Sequence, residues 1–202
     1  MTYPDLPPRR RPWLVWVVFG VTAVTTALGY LLPAFSDALA RDEGFFHGQV
    51  WRIITPILVN PEGVSQLVVN GLGLLVLGPI AERVYGPARW GALYLTGGLV
   101  GEIYSYAEHY YSAGNSVALA GLLGGLAVWL LSGAARVPLP ARLAASLALA
   151  GGVALAVLGD NHGTSILAGG VLGGVLIWSA QRAGAPLPTA PELRGESDVT
   201  HA

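Results

Sequence analysis

Gly114-Asn115-Ser116-Val117-Ala118-Leu119-Ala120-Gly121-Leu122-Leu123-Gly124-Gly125 opens an apolar segment that runs to Ser132. It sets one hydroxyl, Ser116, at the border between water and lipid. Gly121 and Gly124 follow at helical spacing and let a neighbouring helix come close, as small residues do where helices meet in membranes. Two accounts of Ser116 stand side by side. A serine in such a helix commonly bonds its own backbone, and it becomes a nucleophile only with a base at hand.

Composition widens the reading. Of 202 residues, 53% are hydrophobic and only 11% charged, where a soluble domain carries about a quarter charged residues. Cysteine is absent, which excludes a disulfide framework, a thiol nucleophile and a thiolate metal site. All the positive charge is arginine, and no basic patch interleaves with aromatics, so nucleic-acid binding has no support. Apolar segments lie near 13–32, 64–81, 90–107, 115–132, 141–158 and 162–180, each about long enough to cross a bilayer. The first exceeds a signal-peptide core and lacks a small-residue cleavage site. Residues 33–62 form a long loop with Asp37, Arg41, Asp42, Glu43, Phe45, Phe46 and Trp51.

The expected fold is therefore an all-α membrane protein. It has a tail over 1–12, a six-helix membrane domain over 13–181 and a disordered tail over 182–202. No strand pattern competes. No internal repeat or pair of broken helices suggests a transporter. Arg9, Arg10, Arg11, Arg83, Arg89, Arg136, Arg142 and Arg182 fall on one side of that topology. The other side receives Arg41 and Arg52 among Asp37, Asp42, Glu43, Glu108 and Asp160. This bias puts both termini in the cytoplasm and the loop 33–62 outside.

With that orientation the second, fourth and sixth segments begin at the outer surface. Ser116 starts the fourth, His162 starts the sixth, and Asn70 lies about two turns into the second at 1.5 Å per residue. A nucleophile, a base and an oxyanion donor thus share one leaflet. Polar groups converging inside a membrane are candidates for function. The plain alternatives are a cap or interfacial role for His162 and interhelical glue for Asn70.

These residues resemble the rhomboid family of intramembrane serine proteases, from about Gly48 to Trp178. Trp51-Arg52 with Thr55 resembles the Trp-Arg signature of the first loop. Gln66-Leu67-Val68-Val69-Asn70 resembles His-x-x-x-Asn on the second helix. Gly78, Glu82, Arg83 and Gly86 match Gly-x-x-x-Glu-Arg-x-x-Gly. Gly114-x-Ser116 with Gly121 and Gly124 matches the nucleophile motif, and Gly169, Gly170, Gly173 and Gly174 match the glycine ladder of the last helix. The resemblance implies Ser116 as nucleophile, a histidine base with no carboxylate, and Asn70 with the Ser116 amide as oxyanion donors. Gln66 and Asn115 are further candidate donors, while Gly121, Gly124, Gly169 and Gly173 pack the last helix against the serine helix. It also implies transmembrane protein substrates entering sideways from the lipid bilayer.

The chain departs from the family at several points. The usual histidine position is Leu167, flanked by Ile166 and Ala168, and His162 stands five residues earlier. Positions 162, 166, 169 and 173 share one helix face, so His162 points the right way but about one turn nearer the surface. Gln66 replaces the second-helix histidine, Val117 the glycine after the serine, Ala120 a bulkier residue, and Asn60 a first-loop histidine. Asp160 reads as a helix cap that faces away from His162. Glu102 reads as interfacial, or as hydrogen-bonded inside the bundle. Glu82 and Arg83 fix the inner end of the second helix. His47 and Glu43 with His109 or Glu108 lack diagnostic metal spacing, so neither metal nor cofactor is assigned.

The sequence thus predicts a serine endopeptidase that cuts transmembrane segments near the outer face of a bacterial plasma membrane. The alternative is an inactive rhomboid-like protein that binds or escorts membrane clients through the same groove.

Overall fold

The computed structural model describes residues 11–185 and 187–194. Arg9, Arg10 and the last eight residues of the expected tails lie outside the described residues.

The described residues contain α-helices and 3-10 turns and no strand. Six long helices occupy the six apolar segments: α1 (Trp13–Leu31), α3 (Val64–Tyr85), α4 (Pro87–Ala107), α5 (Ser116–Leu131), α6 (Leu139–Val157) and α7 (Asn161–Arg182). Short α2 (Pro33–Leu39) and α8 (Ala190–Arg194) complete the set. Length and composition qualify four of them, α1, α3, α6 and α7, to cross a membrane. Helix α5 has 16 residues and is shorter than that. Helix α4 is long, but Arg89 and Glu102 and its many glycines and tyrosines keep it out of that group.

Helices α5 and α7 form the centre, and α4 and α6 flank them. The glycines explain why. A Cβ on Gly124 would overlap the carbonyl oxygen of Ile166 and lie 2.8 Å from the Gly170 nitrogen. A Cβ on Gly121 would lie 2.6 Å from Gly97 Cα, and one on Gly173 would lie 2.8 Å from Gly125 Cα. The α4, α5 and α7 backbones therefore touch, at a separation only hydrogen side chains permit. Tyr85 adds a polar tie from α3 by donating to the Gly125 carbonyl at 2.7 Å.

Helix α1 has no side-chain cap of its own. The buried Glu82 carboxylate of α3 supplies one, accepting from Leu14 N at 3.0 Å and Val15 N at 2.9 Å. The first amides of a helix have no intrahelical partner, and a carboxylate there also meets the positive end of the helix dipole. Glu82 thus does more than fix its own helix: it anchors α1 across the bundle.

The expected disorder from residue 182 holds for no part of 187–194. Leu187 is buried in the core cluster, Trp129 Nε1 donates to the Pro188 carbonyl at 3.2 Å, and Leu193 packs nearby. A proline- and charge-rich composition conceals the few apolar side chains that suffice to dock the segment on the inner end of α5.

Gly124→Ala should push α5 and α7 apart and cost about 1–3 kcal/mol or more, the usual penalty of overpacking. Gly151→Ala, where a Cβ would meet nothing within 4 Å, should leave stability unchanged or raise it by up to about 1 kcal/mol through helix propensity. Thermal unfolding of both variants in detergent checks the contrast, and equal midpoints would refute the close-contact account.

Candidate active site

Ser116 is the first residue of α5, and His162 is the second of α7. The two helices run side by side with Gly121 against Gly169 and Gly125 against Gly173. Carrying that register outward brings Ser116 level with Thr164, two residues, or roughly 3 Å of helix rise, from His162. Leu167 lies three residues deeper and faces a cavity of about 410 Å³ shared with Val128, Leu149 and Val153. His162 Nε2 stands 2.8 Å from Ser116 Oγ. The displacement expected from sequence is absorbed because both side chains sit at the rim, each in the first turn of its helix.

Asp160 corrects a second expectation. It caps α7 as foreseen, accepting from His162 N at 2.8 Å, but it does not face away. Its backbone is extended (φ −91°, ψ 129°) and not helical, so the side chain folds back over the first turn. The same Oδ1 lies 2.8 Å from His162 Nδ1. Burial tends to raise the Asp160 carboxyl, but the bonds from the His162 amide and ring and the attraction of that ring hold it below its ordinary value. Asn161, next along, donates to Ser105 Oγ at 2.7 Å and pins the start of α7 to α4.

The candidate oxyanion donors approach from α3. Gly114 has φ +145°, and a Cβ there would lie 2.7 Å from Gln66 Nε2 and 3.5 Å from Asn70 Nδ2. Both amides thus face the turn that leads into Ser116. Each already makes one bond: Gln66 Nε2 to the Ala113 carbonyl at 2.8 Å, and Asn70 Nδ2 to Asn60 Oδ1 at 2.6 Å. Asn60 in turn donates through its backbone to Thr26 Oγ1 at 3.1 Å. This buried chain from α1 to α3 orients Asn70. Asn115, the N-cap residue of α5, is buried beside Ser116 with its side chain against the Tyr94 hydroxyl.

Two arginines hold the outer loop around the site. Buried Arg52 donates to the Asp37 carbonyl at 2.6 Å, to the Ala40 carbonyl and to Gln49 Oε1 at 2.6 Å, and pairs with Asp42 at 3.0 Å. Thr55 donates to the Leu39 carbonyl at 2.7 Å. Arg41 pairs with Glu102 of α4, both buried, and donates through Nε to the Tyr110 carbonyl at 2.7 Å. Glu102 is therefore inside the bundle and not interfacial. Sequence reasoning missed Arg41 as its partner because 61 residues separate them. Beside His162, a cavity of about 300 Å³ is lined by Tyr104, Glu108, Tyr110 and Asp160. Among the described residues no group of three potential ligands could hold a metal.

The Rhomboid domain family matches residues 47–182. The chain is 36% identical over 106 residues to YdcA of Bacillus subtilis (strain 168), covering 48% of this chain and 53% of that protein. It is 41% identical over 80 residues to the rhomboid protease GluP of the same bacterium, covering 39% of this chain and 16% of GluP. Similarity extends to RHOMBOID-like protein 7 of Arabidopsis thaliana, 36% over 91 residues, covering 44% of this chain and 29% of that one. The chain spans about half the length of YdcA and less of the others. It belongs to the rhomboid family and is a membrane protein.

Arg41→Ala should destabilise the protein by about 3–5 kcal/mol, because it strands the buried Glu102 carboxylate. The double variant Arg41→Met/Glu102→Met, which removes both charges, should lose less. Unfolding midpoints of the three proteins check the order, and a double variant weaker than the single one would contradict the pairing.

Proposed function

We propose that the protein is an intramembrane serine endopeptidase that cleaves transmembrane segments of other membrane proteins. The observation that carries this reading is the 2.8 Å contact between Ser116 Oγ and His162 Nε2 in a member of a family with protease relatives. Hydrogen-bond reach between nucleophile and base is the first geometric demand of this chemistry.

In this reading Ser116 Oγ attacks the scissile carbonyl carbon while His162 Nε2 takes its proton. The tetrahedral oxyanion forms beside two donors, the Ser116 backbone N–H and the second N–H of Asn70. The first has no intrahelical partner because Ser116 opens α5. His162 then protonates the departing amine, and the carbon–nitrogen bond breaks. Water adds to the acyl-enzyme as His162 takes its proton, which releases the carboxylate and restores Ser116. All six long helices span the membrane, with both termini in the cytoplasm. The site then opens toward the outer face of a bacterial plasma membrane, where water can reach it. The client-binding alternative drew on the displaced histidine and on Gln66 in place of the second-helix histidine, and a ring in contact with the serine removes the first of these grounds.

Ser116→Ala and His162→Ala should each abolish cleavage of a transmembrane test segment in proteoliposomes while leaving the unfolding midpoint within a few degrees. Cleavage that survives Ser116→Ala would sink the reading. Asn70→Ala should lower kcat about 100- to 1,000-fold, the range for losing one oxyanion donor, with a smaller change in KM. A rate equal to that of the unaltered protein would remove Asn70 from the oxyanion site.

A further inference from the structure

We infer that Asp160 is a positioning residue for the hydrolysis, holding His162 in the tautomer and orientation that Ser116 requires. The inference rests on the reading of Ser116 and His162 as nucleophile and base, and it adds a third member to that pair.

An ionised carboxylate can only accept, and burial notwithstanding, Asp160 is held below its ordinary carboxyl value by its bonds to His162. Oδ1 at 2.8 Å from Nδ1 therefore requires a proton on Nδ1. A neutral imidazole then carries none on Nε2, and Nε2 faces Ser116 Oγ at 2.8 Å. That is the protonation state in which the serine hydroxyl donates to the base. When His162 takes the serine proton, the imidazolium has a carboxylate on its far side.

Other groups near the ring do not take this part. Glu108, Tyr104 and Tyr110 share the cavity beside His162, but among the described residues no carboxylate other than Asp160 bonds the ring. From α5 the ring meets Ser116. The cap geometry lets one oxygen serve twice, because Oδ1 accepts from both the His162 amide and the ring. The His162 and Asp160 side chains are 39% and 43% exposed, so water competes for the pair. The effect should fall well below the about 10⁴-fold loss known for a buried carboxylate in this role.

The test compares the unaltered protein with Asp160→Asn and Asp160→Ser in detergent micelles. Both substitutes are good N-caps, so a purely structural Asp160 would lose little in either. The first readout is the rate at which a fluorophosphonate labels Ser116. The Oγ–phosphorus bond forms as the phosphorus–fluorine bond breaks, fluoride leaves and the hydroxyl proton passes to Nε2. The second readout is the imidazole nitrogen NMR signature of His162, which distinguishes a proton on Nδ1 from one on Nε2 without any reaction. The expected result is labelling slowed about 10- to 100-fold in both variants, with unfolding midpoints unchanged. The Nδ1–H signature should be present in the unaltered protein and lost or mixed in the variants. Full labelling rates in both variants, or an Nε2–H ring in the unaltered protein, would overturn the inference. If the unaltered protein resists the probe, the nucleophile reading fails instead, and the nitrogen signature alone decides whether Asp160 sets the ring.

Discussion

Backbone contact between α5 and α7 is the constraint on which the rest depends. Gly121, Gly124, Gly125, Gly169 and Gly173 bring the two backbones into contact along that seam, so its separation and register follow largely from backbone shape. In lipid, apolar side chains gain nothing by leaving one hydrocarbon for another. Helices associate through close packing and polar ties instead. A seam of glycines gives the closest packing available. It also transmits register rigidly, since a slide of one residue would drive carbonyl oxygens into Cα atoms. Ser116 and His162 stand at the outer end of this seam, and their 2.8 Å contact is a consequence of it.

The buried polar groups complete what the seam begins. Several of them tie an element's end to the rest of the bundle. Glu82 closes the start of α1, Arg52 gathers the carbonyls around the end of α2, and Arg41 with Glu102 ties the outer loop to α4. Asn60 and Thr26 back Asn70. Removing such groups from water is costly unless they are paired, so each one fixes a geometry that alternative packings cannot satisfy. The loop over 33–62 thereby becomes a stiff frame beside the site, although its backbone consists of one short helix and 3-10 turns.

Much of this was legible in the sequence, for reasons that differ by element. The six apolar segments show through their length, because bilayer thickness imposes a minimum that chance seldom meets. Ser116 shows through its glycines, and His162 through its place on the face of the last helix that carries Gly169 and Gly173. What stayed hidden was conformation off the helices and pairing at long range. On a continued helical wheel Asp160 faces away from His162, because residues two apart diverge. An N-cap has extended backbone, and there a side chain two residues away can reach both the amide and the ring. The Arg41–Glu102 pair gave no local signal because neither residue has a neighbour that announces the other. The docking of Leu187 was masked by the polar residues around it.

Under the proposed mechanism, the cap also bears on how a histidine at the very start of a helix would serve as a base. Four free N–H groups and the aligned peptide dipoles make a helix N-terminus a region of positive potential. An imidazolium forming there would be opposed by it. A histidine one turn deeper would lie farther from those free amides, and so would feel less of that opposition. Moving the base outward to position 162 therefore creates a need that the deeper position lacks. Asp160 meets it at the one site where a carboxylate is favourable on two counts, against the free amide of His162 and against the ring itself. Under the proposed mechanism the displaced histidine and the adjacent aspartate act together.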